Sequence, residues 1–303
     1  MDIFLYRTNK EHFLSHLTAV KLLKLLVVLI ALISASGCSH ILASATSKLA
    51  NNLSSTILNS DDPQTVADGA PAYLLLVSSF LKDGADNEAL LRSAAVLHSA
   101  YAGVFVKDKA RASKMSSRAF NYALKAVCIS DEDFCSMRKM PFTQLEKELL
   151  KLTIDDVSNW YTLGTSWSGW IQANSRDWNA VADLARVKII FARLLELDPT
   201  YQQGGVHLYL GVLSTLLPPA LGGKPEIGKK HFKQAIALSK DKNLMAKVLY
   251  AEKYAKLIFN KKLHDDLLTE VMNADPIAPD LTLMNTLAQQ RAKELLAASD
   301  DYF

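Results

Sequence analysis

All four tryptophans lie within one short stretch: Trp160, Trp167, Trp170 and Trp178. The spacings of the first three place them on neighbouring parts of one helix face. Such a wall suits an apolar cavity, each indole N–H supplying a polar handle. The simpler reading is a hairpin core, because aromatic stripes at helical spacing usually pack. Trp167 and Trp170 are the candidate ligand contacts, with Trp160 assigned to the core. His207 and Tyr209 stand close in sequence, and a His beside a Tyr can hydrogen-bond a carboxylate, or simply be satisfied by the backbone. The next stretch, Leu217-Pro218-Pro219-Ala220-Leu221-Gly222-Gly223, is a loop. Pro218, Pro219, Leu221, Gly222 and Gly223 are candidates for touching a partner, since rigidly held loops carry function, or for setting a hairpin angle.

Other chemistry is poorly provided. Gly222-Gly223-Lys224 lacks the earlier Gly and the following Ser/Thr of a phosphate loop, and Pro225 removes an N–H. His40, His98, His207, His231 and His264 are scattered, with no His-Glu-x-x-His, so no metal ligands are assigned. No Gly-x-Ser-x-Gly elbow is found. Asp155-Asp156 and Asp265-Asp266 fall near helix starts, where carboxylates oppose the macrodipole. No catalytic residue or cofactor is assigned, and the reading is not that of an enzyme.

The 303 residues are half hydrophobic, with 34 Lys+Arg against 31 Asp+Glu. Without the first 37 residues the balance is 30 basic to 29 acidic, which gives no reason to propose nucleic acid as a partner. Leu25 to Ile33 is an unbroken apolar run entered through Lys21 and Lys24 and followed by Ser34-Ala35-Ser36-Gly37-Cys38. That order describes a secretory signal peptide; the run is shorter than the ~20 apolar residues of a spanning helix. Ala35-Ser36-Gly37-Cys38 resembles a bacterial lipobox, which makes residues 1–37 the leader, Cys38 the acylated N-terminus, and palmitate-type chains the anchor. Ser39 after the Cys favours the outer membrane. Cys128 and Cys135 remain as a pair in an oxidising space. On one continuous helix their spacing gives ~10.5 Å of rise, too far for a disulfide, whereas a break at Ser130-Asp131-Glu132-Asp133 lets the chain fold back. Two reduced, partly buried thiols are the alternative.

Beyond Cys38 the periodicity is helical and strand signals are nearly absent. The fold class is all-α: a single domain over 38–303 of stacked helical hairpins with degenerate tetratricopeptide-like repeats. Helices are expected near 41–58, 63–82, 86–106, 109–128, 141–151, 155–173, 178–197, 204–216, 225–239, 244–260, 262–273 and 281–298. Asp62-Pro63 and Lys224-Pro225 open helices, and Asp198-Pro199 and Asp275-Pro276 end them. One repeat runs through Val248, Ala251, Ala255, His264, Leu268, Val271 and Pro276; a second through Leu210-Gly211, Gly228, Phe232 and Ala235; a third from Leu163-Gly164 to Val187, Phe191 and Leu194. Small residues let paired helices approach, and stacking buries faces that one hairpin cannot. A non-repetitive bundle is the alternative. The last helix is expected to cap the stack through Leu281, Met284, Leu287, Ala288 and Leu295.

The stretch from Gly205-Val206-His207 through the Pro-Pro-Ala-Leu-Gly-Gly loop to His231-Phe232-Lys233 resembles the T-component of tripartite ATP-independent periplasmic (TRAP) transporters, the TatT-like lipoproteins. Trp160-Tyr161 with Gly164, Trp167 and Trp170, Leu194 to Pro199, and Arg118 to Ala126 agree with it. The resemblance implies a homotrimer whose subunits are perforated by a pore-like cavity. It also implies docking of a periplasmic solute-binding protein and supply of a hydrophobic small molecule to it. The competing function is a tetratricopeptide-type lipoprotein scaffold for cell-envelope assembly.

Overall fold

The computed structural model describes Lys24 and residues 52–53, 55–82 and 87–303, with the side chain of Leu221 outside that set. The chain divides into two compact units, Met1–Ile57 and Leu58–Phe303. In the first, Lys24 is helical and the Thr56 hydroxyl donates to the Asn52 carbonyl at 2.8 Å. The rest of the leader, Cys38 and most of the helix expected near 41–58 lie outside the described residues.

The second unit is all-α, and among its described residues there is no strand. Its α-helices are α1 (Pro63–Phe80), α2 (Glu88–Val104), α3 (Lys109–Ser130), α4 (Phe142–Leu149), α5 (Val157–Ala173), α6 (Trp178–Ala182), α7 (Leu184–Leu197), α8 (Tyr201–Thr215), α9 (Pro225–Leu238), α10 (Leu244–Leu249), α11 (Lys261–Asn273), α12 (Thr282–Ala297) and α13 (Ser299–Tyr302). The starts follow local chemistry. Asp62 accepts from the Gln64 and Thr65 amides ahead of Pro63, which has no N–H to leave unsatisfied. Asn87, Asp108 and Asn260 cap α2, α3 and α11 in the same manner. Pro71 inside α1 deprives the Ala67 carbonyl of its helical donor. The Tyr101 hydroxyl of α2 donates to that carbonyl at 3.3 Å.

Neighbouring elements pair and stack: α2 with α3, α5 with α7, α8 with α9, and α10 with α11 and α12. Gly164 of α5 lies so close to Phe191 of α7 that a Cβ would stand 2.9 Å from the ring. Gly211 of α8 has the same relation to Phe232 of α9, at 3.0 Å. One small residue under one aromatic ring thus sets both crossings. Each ring, wholly buried, contributes ~1.5–3 kcal/mol. Two apolar clusters result, one around Phe120, Phe134, Trp160, Trp167 and Phe191, the other around Phe232, Val248, Tyr254, Leu268 and Leu295. α1 lies against both α2 and α12. Just before it, Asn59 exchanges two hydrogen bonds with Asp280, at 3.1 and 2.8 Å, so the two ends of the stack are joined.

Several expectations are corrected. The helix expected over 178–197 breaks at Asp183 into α6 and α7. The start of α8 holds Gln202, Gln203 and Gly204 in left-handed backbone, so the regular helix begins after them. At Gly204 a Cβ would stand 3.1 Å from the Ala235 Cα, so the site needs glycine for space as well as for φ. The helix expected over 244–260 continues past Leu249 as a π-helical segment, Tyr250–Ala255. In α12 Ala288 and Leu295 are buried as expected and Leu281 and Leu287 half-buried, but Met284 is exposed, and Thr282, Leu283, Asn285 and Ala292 are buried as well. Asn285 tolerates burial because it accepts from the Leu244 amide and donates to the carbonyls of Lys242 and Pro276.

Candidate functional site

The helix break at Asp183 matters because it releases a carboxylate into the interior. Asp183 accepts the Trp167 indole N–H at 3.1 Å. The same oxygen takes two guanidinium N–H groups of Arg138 at 3.2 and 3.0 Å. Arg138 also lies over the Trp170 ring, 4.7 Å from its centroid. Phe120 stacks on both tryptophans, with centroids 4.9 and 5.5 Å away. Trp167 is therefore wholly buried and its polar handle already used, whereas Trp170 is half-buried. Trp160 is core, edge-on to Phe134. Trp178 stands apart, 85% exposed at the start of α6.

His207 and Tyr209 go to different neighbours. His207 meets His231 of α9, Nδ1 to Nδ1 at 2.9 Å, one ring donating to the other. Burial lowers the His207 pKa; burial first, then His207 and Lys188, push His231 down to about 4. Tyr209 turns toward α7 and α5, stacked on Phe191 at 4.9 Å and edge-on to Tyr161 at 6.0 Å. Tyr161 in turn meets Tyr201. Burial raises Tyr209 to about 12, and Tyr161 is likewise raised by burial, then by Tyr209 and Tyr201. Both rings keep part of their surface accessible, and neither hydroxyl bonds another group among the described residues.

The Pro-Pro loop folds back on α7. A cavity of about 140 Å³ lies between them, walled by Leu184, Ala185, Leu213, Leu216, Leu217, Gly222 and Gly223, with Lys188, Lys224 and Ser214 as its polar lining. The Lys224 amide donates to the Ser214 carbonyl at 2.9 Å and pins the turn. A Cβ on Gly223 would stand 1.7 Å from the Leu217 oxygen, so only glycine permits this closure. Pro218 and Pro219 are exposed.

Cys128 and Cys135 are joined as a disulfide between the end of α3 and the following 3-10 turn, Glu132–Ser136. Asp156 caps its turn by accepting from Thr153. Asp265 and Asp266 instead pair with Lys261 and Lys262, one turn earlier in α11. His98 bonds the Ala94 carbonyl and His264 the Asp265 carboxylate, each within the protein interior. Among the described residues no group of three or more His, Cys, Asp or Glu could hold a metal ion, and no helix is long and apolar enough to cross a membrane.

Paired helices stacked around buried aromatic clusters define an all-α protein. The model of one family, the TRAP transporter T-component, matches residues 59–303, and the chain belongs to that family. It is accordingly an accessory component of a TRAP transporter of the cell envelope, in a family that is not one of enzymes. An uncharacterized protein of Treponema pallidum (strain Nichols) is similar to it, 24% identical over 267 residues, covering 80% of this chain and 81% of that protein.

Proposed function

We propose that the mature protein is a periplasm-facing lipoprotein that docks a periplasmic solute-binding protein and presents a hydrophobic small molecule to it. In this reading residues 1–37 are removed, Cys38 carries the acyl chains that hold the protein at the outer membrane, and three copies assemble. The exposed Pro218-Pro219 turn meets the solute-binding protein. Trp170, Tyr209 and His207 contact the small molecule in a pore-like cavity, whereas Trp167 has no free surface to do so.

The observation that carries this reading is the family match over the whole of α1 to α13. Two features support the ligand half of it: the joining of the stack's ends through α1 and the Asn59–Asp280 pair, and the accessible Tyr161 and Tyr209 hydroxyls without protein partners. A hydroxyl that no protein group engages is available to a bound molecule.

Trp170→Ala tests the ligand site. A long-chain fluorescent probe should bind several-fold more weakly while the melting temperature changes little; unchanged binding removes Trp170 from the site. Cys38→Ser tests the anchor by fractionation. Release from membranes is expected, and retention would mean that the leader itself stays in place as the anchor.

A further inference from the structure

The cavity between α7 and the Gly222-Gly223 turn has an unusual balance of charge. Lys188 and Lys224 line it and no acidic side chain does. Neither lysine has an ion-pair partner among the described residues, whereas Lys229 pairs with Glu226 and Arg193 with Glu196. The His207–His231 pair lies near enough for the Lys188 charge to lower His231, after burial and His207. Lys188 on α7 and Lys224, just ahead of α9, thus carry the positive charge of the cavity, since burial holds the nearby His207–His231 pair neutral. Its other walls are apolar, formed by Leu213, Leu216 and Leu217, and the volume of about 140 Å³ is on the scale of the ~150 Å³ cavity that accepts a benzene-sized molecule. Leu216 and Leu217 remain 44% and 42% exposed, so the cavity opens to solvent.

We propose that this cavity binds a small amphipathic anion, its oxyanion head held by Lys188 and Lys224 and its short apolar part laid against Leu213, Leu216 and Leu217. Ser214 completes the polar part of the lining. The turn enforced by Gly223 brings the Lys224 backbone to Ser214, so the site exists only while the loop is closed. The inference concerns the isolated protein and does not rest on docking of a solute-binding protein.

The test uses the full-length protein in detergent with four probes: hexanoate, hexyl phosphate, hexanol and inorganic phosphate. Calorimetry should show binding of hexanoate, hexyl phosphate or both, whichever head fits, and much weaker binding of hexanol. Inorganic phosphate binding as tightly as either amphiphile would contradict the apolar half of the site. Lys188→Met and Lys224→Met should each weaken anion binding about tenfold, the loss of one charge-assisted contact, with Lys188→Arg retaining most of it. A second readout separates binding from folding: the imidazole NMR titration of His231 should move up by a measurable fraction of a pH unit when the anion offsets Lys188. Equal affinity for hexanol and hexanoate, or anion binding unchanged in both methionine variants, would overturn the proposal. A His231 titration unmoved by saturating anion would place any binding elsewhere and overturn it as well.

Discussion

Asp183→Ala probes the interior most sharply, because one carboxylate oxygen there serves two side chains from distant parts of the chain. The substitution strands the Trp167 indole N–H, wholly buried and now without an acceptor. Losing a hydrogen bond to a charged acceptor costs ~1.5–3 kcal/mol, and the stranded buried donor accounts for much of it. Arg138 adds less, since its side chain is 40% exposed and water can replace its partner, a contribution of ~0–1 kcal/mol. No helix cap is lost, because Asp183 makes no side-chain cap bond to α7. The total is about 3 kcal/mol, which for a domain of this size lowers Tm by roughly 6–12 °C. Urea unfolding followed by tryptophan fluorescence measures it. Arg138→Met alone should cost about 1 kcal/mol. In a Trp167→Phe background, where no indole N–H remains, Asp183→Ala should cost ~1–2 kcal/mol less than in the native chain. A single-variant loss below 1 kcal/mol, or an identical loss in both backgrounds, would refute the reasoning.

Three other outcomes follow from the same geometry. Cys128→Ser with Cys135→Ser removes a cross-link of sequence separation 7, which should lower stability by about 2 kcal/mol; an equal loss when the native chain is reduced checks it, and no change in either case contradicts it. Acid should destabilise the protein in two stages. His231 is held down at about 4 in the fold against an ordinary 6.5, so the unfolded chain takes up its proton first and stability falls as pH drops from 6.5 toward 4, by ~1–2 kcal/mol after allowance for partial exposure. Burial alone would raise Asp265, but hydrogen bonds from Lys261, Ser299 and His264 outweigh it and hold it at about 2, so its contribution is present above 3.8 and lost as pH falls from there toward 2. In unfolding free energies measured across pH, His231→Gln should flatten the first stage and Asp265→Asn the second; an unaltered profile in either variant contradicts its assignment. Gly223→Ala should open the Pro-Pro turn and cost ~1–3 kcal/mol, read as a lower Tm together with faster amide exchange at Lys224; an unchanged Tm and exchange rate would show that the Leu217 carbonyl can move aside.

Much of the fold was legible because its punctuation is local. Asp62-Pro63 and Lys224-Pro225 carry the start of a helix in adjacent residues, and Asp198 ends α7 in extended backbone just before Pro199. Gly164 with Phe191 and Gly211 with Phe232 were visible as a small residue and an aromatic at repeat spacing, and the structure sets each ring over its glycine. The break at Asp183 was hidden, since no Gly or Pro interrupts the apolar period there and the bonds its carboxylate makes are to Trp167 and Arg138, both distant in sequence. The left-handed backbone at Gln202 and Gln203 was equally silent, because glutamine carries no bias toward positive φ. On α12 Ala288 and Leu295 were placed inward, but Met284 was misplaced for an energetic reason: hydrophobicity favours it, whereas three hydrogen bonds hold Asn285 in the interior. At the candidate site, the Trp cluster and the Gly-Gly turn could be named in advance. The His207–His231 pair could not, since it depends on the register of α8 against α9 across 24 residues.

The central claim, that this T-component docks a solute-binding protein through the Pro-Pro turn, is tested most directly by photo-crosslinking in intact cells. A benzophenone side chain placed at exposed Ala220 should yield one dominant adduct whose peptides are those of a periplasmic solute-binding protein, and the same probe at Gln290 on α12 should not. Adducts at Ala220 made up of envelope-assembly proteins, with no solute-binding protein among them, would contradict the account and return the chain to the role of a scaffold.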